Sequence, residues 1–392
     1  MTAESTPRAG ARRRAAIATA AKLGLLCSSA LFALGFAELA VRVVLPQQLI
    51  SIRPDIWQPH DGLGWVVRPE IDTTINTGER TVRVRTDARG FRVGDAGRRE
   101  GDREILVLGD SFMQALQVEH EQSLPGLIEA RLGESLASDA AAPVAVAVRN
   151  GGVDGWDPAQ YLLRARSELA RRHYDALVVA VYLGNDVIAR ARDHFPPRQA
   201  VEVHPLRWPG SLAWEDWVDS VFYPVNDWLE VRSHLFVLAR SSLRGLLIRL
   251  GLSADYLPLG VRLDEADDPR WDVTLEVLRQ IEASARERGT PALFVLIPAP
   301  FAIDPQVFEQ IRSGFEIDES ELDASQPGRI VAGRLAAAGI PHVSLVERFL
   351  AEHRSGTPLY GRVDRHLSPE GHEVAYDVIE PRLLEMLEAD AP

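Results

Sequence analysis

The sequence predicts an α/β fold built on a mostly parallel sheet. Two observations carry this. The chain has 392 residues, 46% hydrophobic and 25% charged, the composition of a globular protein with a sizeable core. From Arg103 onward, apolar runs of strand length are separated by helical stretches.

The elements follow in chain order. Residues 1 to 22 carry Arg8, Arg12, Arg13, Arg14 and Lys22 against Glu4, and the 15 residues from Leu23 to Ala37 hold no charge. Extended from Ala15 to Leu45, this stretch is long enough to span a bilayer, with Lys22, Glu38 and Arg42 near its ends, where long side chains snorkel. We read residues 1–45 as a basic cytoplasmic leader and an uncleaved transmembrane anchor, because no A-x-A site precedes a mature start. A cleaved signal and a buried core helix are the alternatives. Leu25 and Leu26 stand before Cys27 where a lipoprotein signal would have small residues. The positive-inside rule puts Arg12 to Arg14 in the cytoplasm and everything after about residue 46 outside, giving a single-pass protein of the cell membrane.

Residues 46–100 read as a β-rich lead-in, in which Thr81-Val82-Arg83-Val84-Arg85 alternates as a half-buried strand does. The main domain, 101–392, has strands expected at Glu104–Leu108, Val144–Val148, Ala176–Tyr182, Ala292–Ile297 and Pro341–Leu345. Helices are expected at Ser123–Leu136, Pro158–Arg172, Trp271–Arg288, Gln326–Ala338 and Pro369–Leu387. The rhythm breaks at about 190–270, a stretch holding Trp208, Trp214, Trp217, Phe222, Tyr223, Trp228 and Phe236. We read it as an aromatic-rich insertion: a lid, an acyl or glycan platform, a surface resting on the membrane, or a subdomain with its own small core.

Charge and cysteine content exclude several classes. A net charge of −13 leaves no basic surplus for a general nucleic-acid binder. The single cysteine, Cys27, allows no internal disulfide and no Cys-based metal site. No cofactor is expected: there is no Walker-type loop, Gly151-Gly152 does not match a dinucleotide fingerprint, and His342, His353 and His372 are scattered.

Open parallel sheets bind ligands at the carboxyl ends of their strands, and three of those ends are unusual. The first runs into Gly109-Asp110-Ser111-Phe112, placing a hydroxyl where a helix N-terminus offers N–H groups to a developing oxyanion; the plainer reading is a serine N-cap. The second ends in the loop Asn150 to Pro158, where glycine lets backbone approach a bound ester, or simply turns the chain. The third ends in Leu183-Gly184-Asn185-Asp186, whose Asn185 amide either donates to the same oxyanion or forms an Asx turn. Late in the chain, Asp364-Arg365-His366 precedes the last helix. In an extended loop residues two apart project to one side, so Asp364 and His366 converge, His366 as general base and Asp364 as the carboxylate that fixes its tautomer. His372 is a rival to His366, though a core or capping role suits it better. Phe112 and Trp156 line either an acyl pocket or the core.

These four blocks, in this order, resemble those of the SGNH (GDSL-type) hydrolase superfamily over about residues 103–388. The resemblance implies a flavodoxin-like three-layer α/β/α sandwich with a mostly parallel five-stranded sheet. It also implies ester hydrolysis or acyl transfer, with Ser111 as nucleophile and first oxyanion donor, Gly155 as backbone donor, Asn185 as side-chain donor and His366 as base. The usual last block has Asp three residues before His, whereas here Asp364 is two before. That spacing is similar to the alginate O-acetyltransferase-like members, and the anchor with its β-rich lead-in resembles a membrane-anchored branch linked to envelope polysaccharides. The expected substrate is a small-molecule or polysaccharide acyl ester. A membrane-tethered carbohydrate-binding or assembly protein that keeps the fold without catalysis is the other class.

Overall fold

The computed structural model describes residues 7–49, 53–137, 144–187, 206–250, 260–315 and 318–389. A long helix, α1 (Pro7–Val44), opens the chain. Two short strands, β1 (Trp57–His60) and β2 (Gly64–Val67), pair antiparallel as a separate ribbon. Next come β3 (Asp72–Asn76), β4 (Thr81–Thr86) and β5 (Arg92–Val93), then β6 (Arg103–Leu108), α2 (Ser111–Gln114) and α3 (Leu124–Ala137). They are followed by β7 (Val146–Asn150), α4 (Pro158–Leu169) and β8 (Ala176–Tyr182). Of the expected insertion, the described part folds into α5 (Trp214–Trp217), α6 (Tyr223–Glu230) and α7 (His234–Arg249). The chain closes with α8 (Arg270–Arg286), β9 (Ala292–Ile297), α9 (Pro300–Ile303), α10 (Pro305–Phe315), α11 (Gln326–Ala337), β10 (His342–Ser344), α12 (Val346–Arg354) and α13 (Pro369–Ala389).

The main sheet has eight strands in the order β10-β9-β8-β6-β7-β5-β4-β3, not the expected five. The stretch β10-β9-β8-β6-β7 is parallel throughout. Left alone, β7 would present an open edge of unpaired N–H and C=O groups; β5 covers it antiparallel at Arg92 and Asn150, and β4 and β3 continue the sheet. Counting the parallel strands by their place in the chain gives the order 2-1-3-4-5, the flavodoxin-like arrangement, whose switch point lies between β6 and β8.

Strands β6, β8 and β9 are almost wholly buried because both faces are covered. Leu106, Leu108, Leu177, Val179, Phe294 and Leu296 face one apolar layer, with α4, α8 and α11 over it. Ile105, Val107, Val178, Ala180, Leu293 and Val295 face the other, under α3, α12 and α13. The lead-in contributes Ile56, Trp57, Trp65, Val82, Val84 and Phe91 to the first layer, so it packs as part of the same core. Local signals fix the helix starts: Asp157 and Gln160 form a capping box before Pro158, and Ser368 Oγ accepts the Gly371 N–H at 2.9 Å as α13 begins.

Candidate active site

Ser111 is the first residue of α2, directly beyond β6. The Asp110 side chain caps this one-turn helix, accepting the Phe112 N–H at 2.9 Å. At the other end Ala115 turns left-handed (φ 52°). Arg92, buried on β5, donates to the carbonyls of Gln114 (2.8 Å), Ala115 and Val118 (2.6 Å), satisfying acceptors that so short a helix leaves open. Burial lowers the Arg92 pKa to about 10, against the opposing charges of Glu119 and Glu121, so it stays cationic at neutral pH.

His366 Nε2 lies 2.7 Å from Ser111 Oγ, and its Nδ1 is hydrogen-bonded to Asp364 Oδ1. A ring nitrogen facing a carboxylate carries the proton, which leaves Nε2 to accept from the serine hydroxyl. The convergence of Asp364 and His366 does not come from extended backbone: Arg365 between them is left-handed, at φ 67°. The second carboxylate oxygen, Asp364 Oδ2, accepts from Gln48 Nε2 at 2.5 Å and from Gln117 Nε2 at 3.2 Å. Burial opposes an imidazolium here, yet the hydrogen bond and charge of Asp364 outweigh it and raise the His366 pKa above its ordinary value. Phe112 stacks on Tyr182 with centroids 4.0 Å apart and lies 4.8 Å from the His366 ring, flooring the imidazole.

Strands β7 and β8 flank β6, so the loops after them flank Ser111. In the β7 loop, Gly152 packs so closely that a Cβ would fall 2.4 Å from the Gln114 nitrogen. Gly155 is exposed with φ 75°, and its N–H has no acceptor among the described residues. Asp154 before it is fixed twice, its N–H donating to Gln114 Oε1 (2.7 Å) and its carbonyl accepting from Trp65 Nε1 (2.8 Å). In the β8 loop Asn185 is exposed, with its N–H on the Tyr182 carbonyl at 3.4 Å. Its neighbour Asp186 is buried, accepting from Tyr161 Oη (2.8 Å) and the Tyr182 N–H (2.9 Å). Burial pushes Asp110 up to about 7 and Asp186 well above the carboxylate range, each reinforced by charge from neighbouring aspartates.

His372 lies outside this arrangement. Its Nδ1 accepts the Leu124 N–H at 3.1 Å at the start of α3, and burial lowers its pKa to about 3, which makes it a neutral cap. Trp156 is core, its Nε1 donating to the Trp65 carbonyl at 2.9 Å. Among the described residues, no three His, Cys, Asp or Glu side chains cluster to hold a metal.

No protein-family model and no curated protein matches the chain. Solved structures do. A member of the lipolytic protein G-D-S-L family from Veillonella parvula is 11% identical, over 70% of this chain and 95% of that one, with a TM-score of 0.35. The acetyl xylan esterase AlAXEase is 14% identical over 71% and 99%, at 0.37. A catalytic mutant of an acetylxylan esterase from Geobacillus stearothermophilus is 13% identical over 74% and 96%, at 0.36. Likeness at this level adds nothing to the strand order and side-chain geometry above.

Sequence reasoning missed Gln48, Arg92, Gln114 and Gln117. Each acts through a donor or acceptor brought from elsewhere in the fold, and a lone Gln or Arg carries no periodic signal.

Proposed function

We propose that this chain is a serine ester hydrolase of the SGNH type, anchored in the cell membrane by α1 and acting outside the cytoplasm on ester-linked acyl groups of carbohydrate or a similar small ester. The observation that carries the reading is the relay Asp364–His366–Ser111, with 2.7 Å between His366 Nε2 and Ser111 Oγ. Ser111 Oγ attacks the acyl carbonyl as its proton passes to Nε2, and the imidazolium gains the support of Asp364. The tetrahedral oxyanion forms beside the Ser111 and Gly155 N–H groups and the Asn185 amide. As the intermediate collapses, His366 returns the proton to the departing alcohol. The acyl-serine is then cleared by water, or by a sugar hydroxyl where the reaction is transfer, with His366 again taking the proton.

The membrane half of the reading rests on α1, whose segment Ile17–Val44 contains an 18-residue window with a mean hydropathy of 1.8 that is not buried by the rest of the protein. The test is a fluorophosphonate probe followed by peptide mapping. The reading expects one adduct, on Ser111, lost in His366→Ala. Absence of labelling at Ser111 in the folded protein overturns it.

A further inference from the structure

The end of the anchor is bolted to the aromatic helices that the site itself does not use. Glu38, near the end of α1, accepts from Ser233 Oγ (2.7 Å), the His234 N–H (3.0 Å) and the Leu235 N–H (2.9 Å), capping the start of α7 from another helix. Arg42 donates to the Arg232 carbonyl at 3.0 Å, and the Gln47 N–H donates to His234 Nδ1 at 2.7 Å. Wherever the end of α1 sits, the start of α7 sits beside it. About twenty helical residues cross the hydrocarbon core, so a span centred on the uncharged run Leu23–Ala37 has Lys22 towards one end and Glu38 towards the other, near the lipid–water boundary.

The segment fixed there, residues 206–250, is dressed unlike the rest of the domain. Leu212 is 94% exposed, Trp208 86%, Trp214 74% and Trp228 57%, whereas Trp57, Trp156 and Trp271 are each 1% exposed. Large apolar side chains held in water are costly, and indole rings partition to the headgroup level of a bilayer. The catalytic carboxylate is tied to the same place. Gln48, its 2.5 Å partner, lies four residues beyond α1, at most about 14 Å of extended chain.

We infer that residues 206–250 are a platform that lies in the phospholipid headgroup layer beside α1, through Trp208, Leu212, Trp214, Phe222 and Trp228, and so holds the Ser111 site against the membrane surface. The inference rests on the reading of α1 as an anchor. Lipid is the occupant because the apolar face continues from α1 through a hydrogen-bonded junction.

The test uses the full chain in phosphatidylcholine vesicles with brominated or ordinary acyl chains, reading tryptophan emission. Four of the eight tryptophans are replaced together as Trp208→Phe, Trp214→Phe, Trp217→Phe and Trp228→Phe. An environment-sensitive dye on Cys27, the single cysteine, reports the anchor separately. The expected result is quenching of the wild type by brominated lipid, with at least about half of that quenching lost in the variant, while the Cys27 dye reports an apolar surrounding in both. If the dye reports lipid but quenching is absent, or equal in the variant, the platform is wrong and the anchor stands; chemical crosslinking through residues 206–250 would then assign the face to a second copy of the chain. If the dye reports water and the protein does not float with the vesicles, the anchor reading falls and takes the platform with it.

Discussion

Gln114 Oε1 accepts the Asp154 N–H at 2.7 Å, which ties the one-turn helix of Ser111 to the loop of Gly155. The same oxygen takes the Trp57 indole N–H at 3.4 Å. The proposed nucleophile and the proposed oxyanion donor are therefore set by one side chain. Gln114→Leu leaves the Asp154 N–H without its partner, a loss of about 1–3 kcal/mol where such a group is buried. The expected outcome is a fall in kcat of about tenfold or more with a smaller change in KM, because misplacement weakens the transition state more than the bound ester. Steady-state kinetics on a nitrophenyl ester, beside a thermal melt, separates that loss from simple unfolding.

Asn185 is exposed at the end of β8 and contributes little to packing. Asn185→Ala should leave the melting temperature near that of the wild type and lower kcat by about 10²–10³, the usual effect of removing one oxyanion donor. A kcat equal to that of the wild type would remove Asn185 from the site.

The pH profile follows from His366. Its pKa is raised, chiefly because the Asp364 bond and charge overcome the effect of burial, and only the neutral imidazole accepts the serine proton. kcat/KM should therefore rise with pH through an inflection above the ordinary histidine value of about 6.5. Asp364→Asn removes the charge and the tautomer lock together. The inflection should move to lower pH and the plateau should fall by up to about 10⁴-fold.

Arg92 supports the site from β5, the strand that pairs with β7. Replacing it with leucine strips donors from the carbonyls of Gln114, Ala115 and Val118 in a dry setting. A loss of about 3 kcal/mol in unfolding free energy is expected, measured by urea denaturation.

Much of this architecture was legible beforehand, for identifiable reasons. Strands buried on both faces, such as Ala176–Tyr182, read as unbroken apolar runs, and α4 is announced by Asp157-Pro158. The strand after α3 begins at Val146, later than expected, and runs on to Asn150, because Asn150 pairs with both Val107 and Arg92. Strands β3–β5, which carry the sheet beyond β7, are short and partly exposed, so nothing local says that they extend the main sheet. Ser111, Asp364 and His366 were legible from their motifs, and the structure brings the three side chains together. The left-handed Arg365 and the remote donors Gln48 and Gln117 were not, since they exist only once distant segments meet.

The relay itself is tested most directly by nitrophenol release from p-nitrophenyl acetate, comparing the wild type with Ser111→Ala and His366→Ala, all in one detergent and all folded by circular dichroism. The account predicts measurable release by the wild type and a fall of about 10³-fold or more, to background, in both variants. Release by either variant at the wild-type rate, or a wild type indistinguishable from both on this and longer acyl esters, would contradict it.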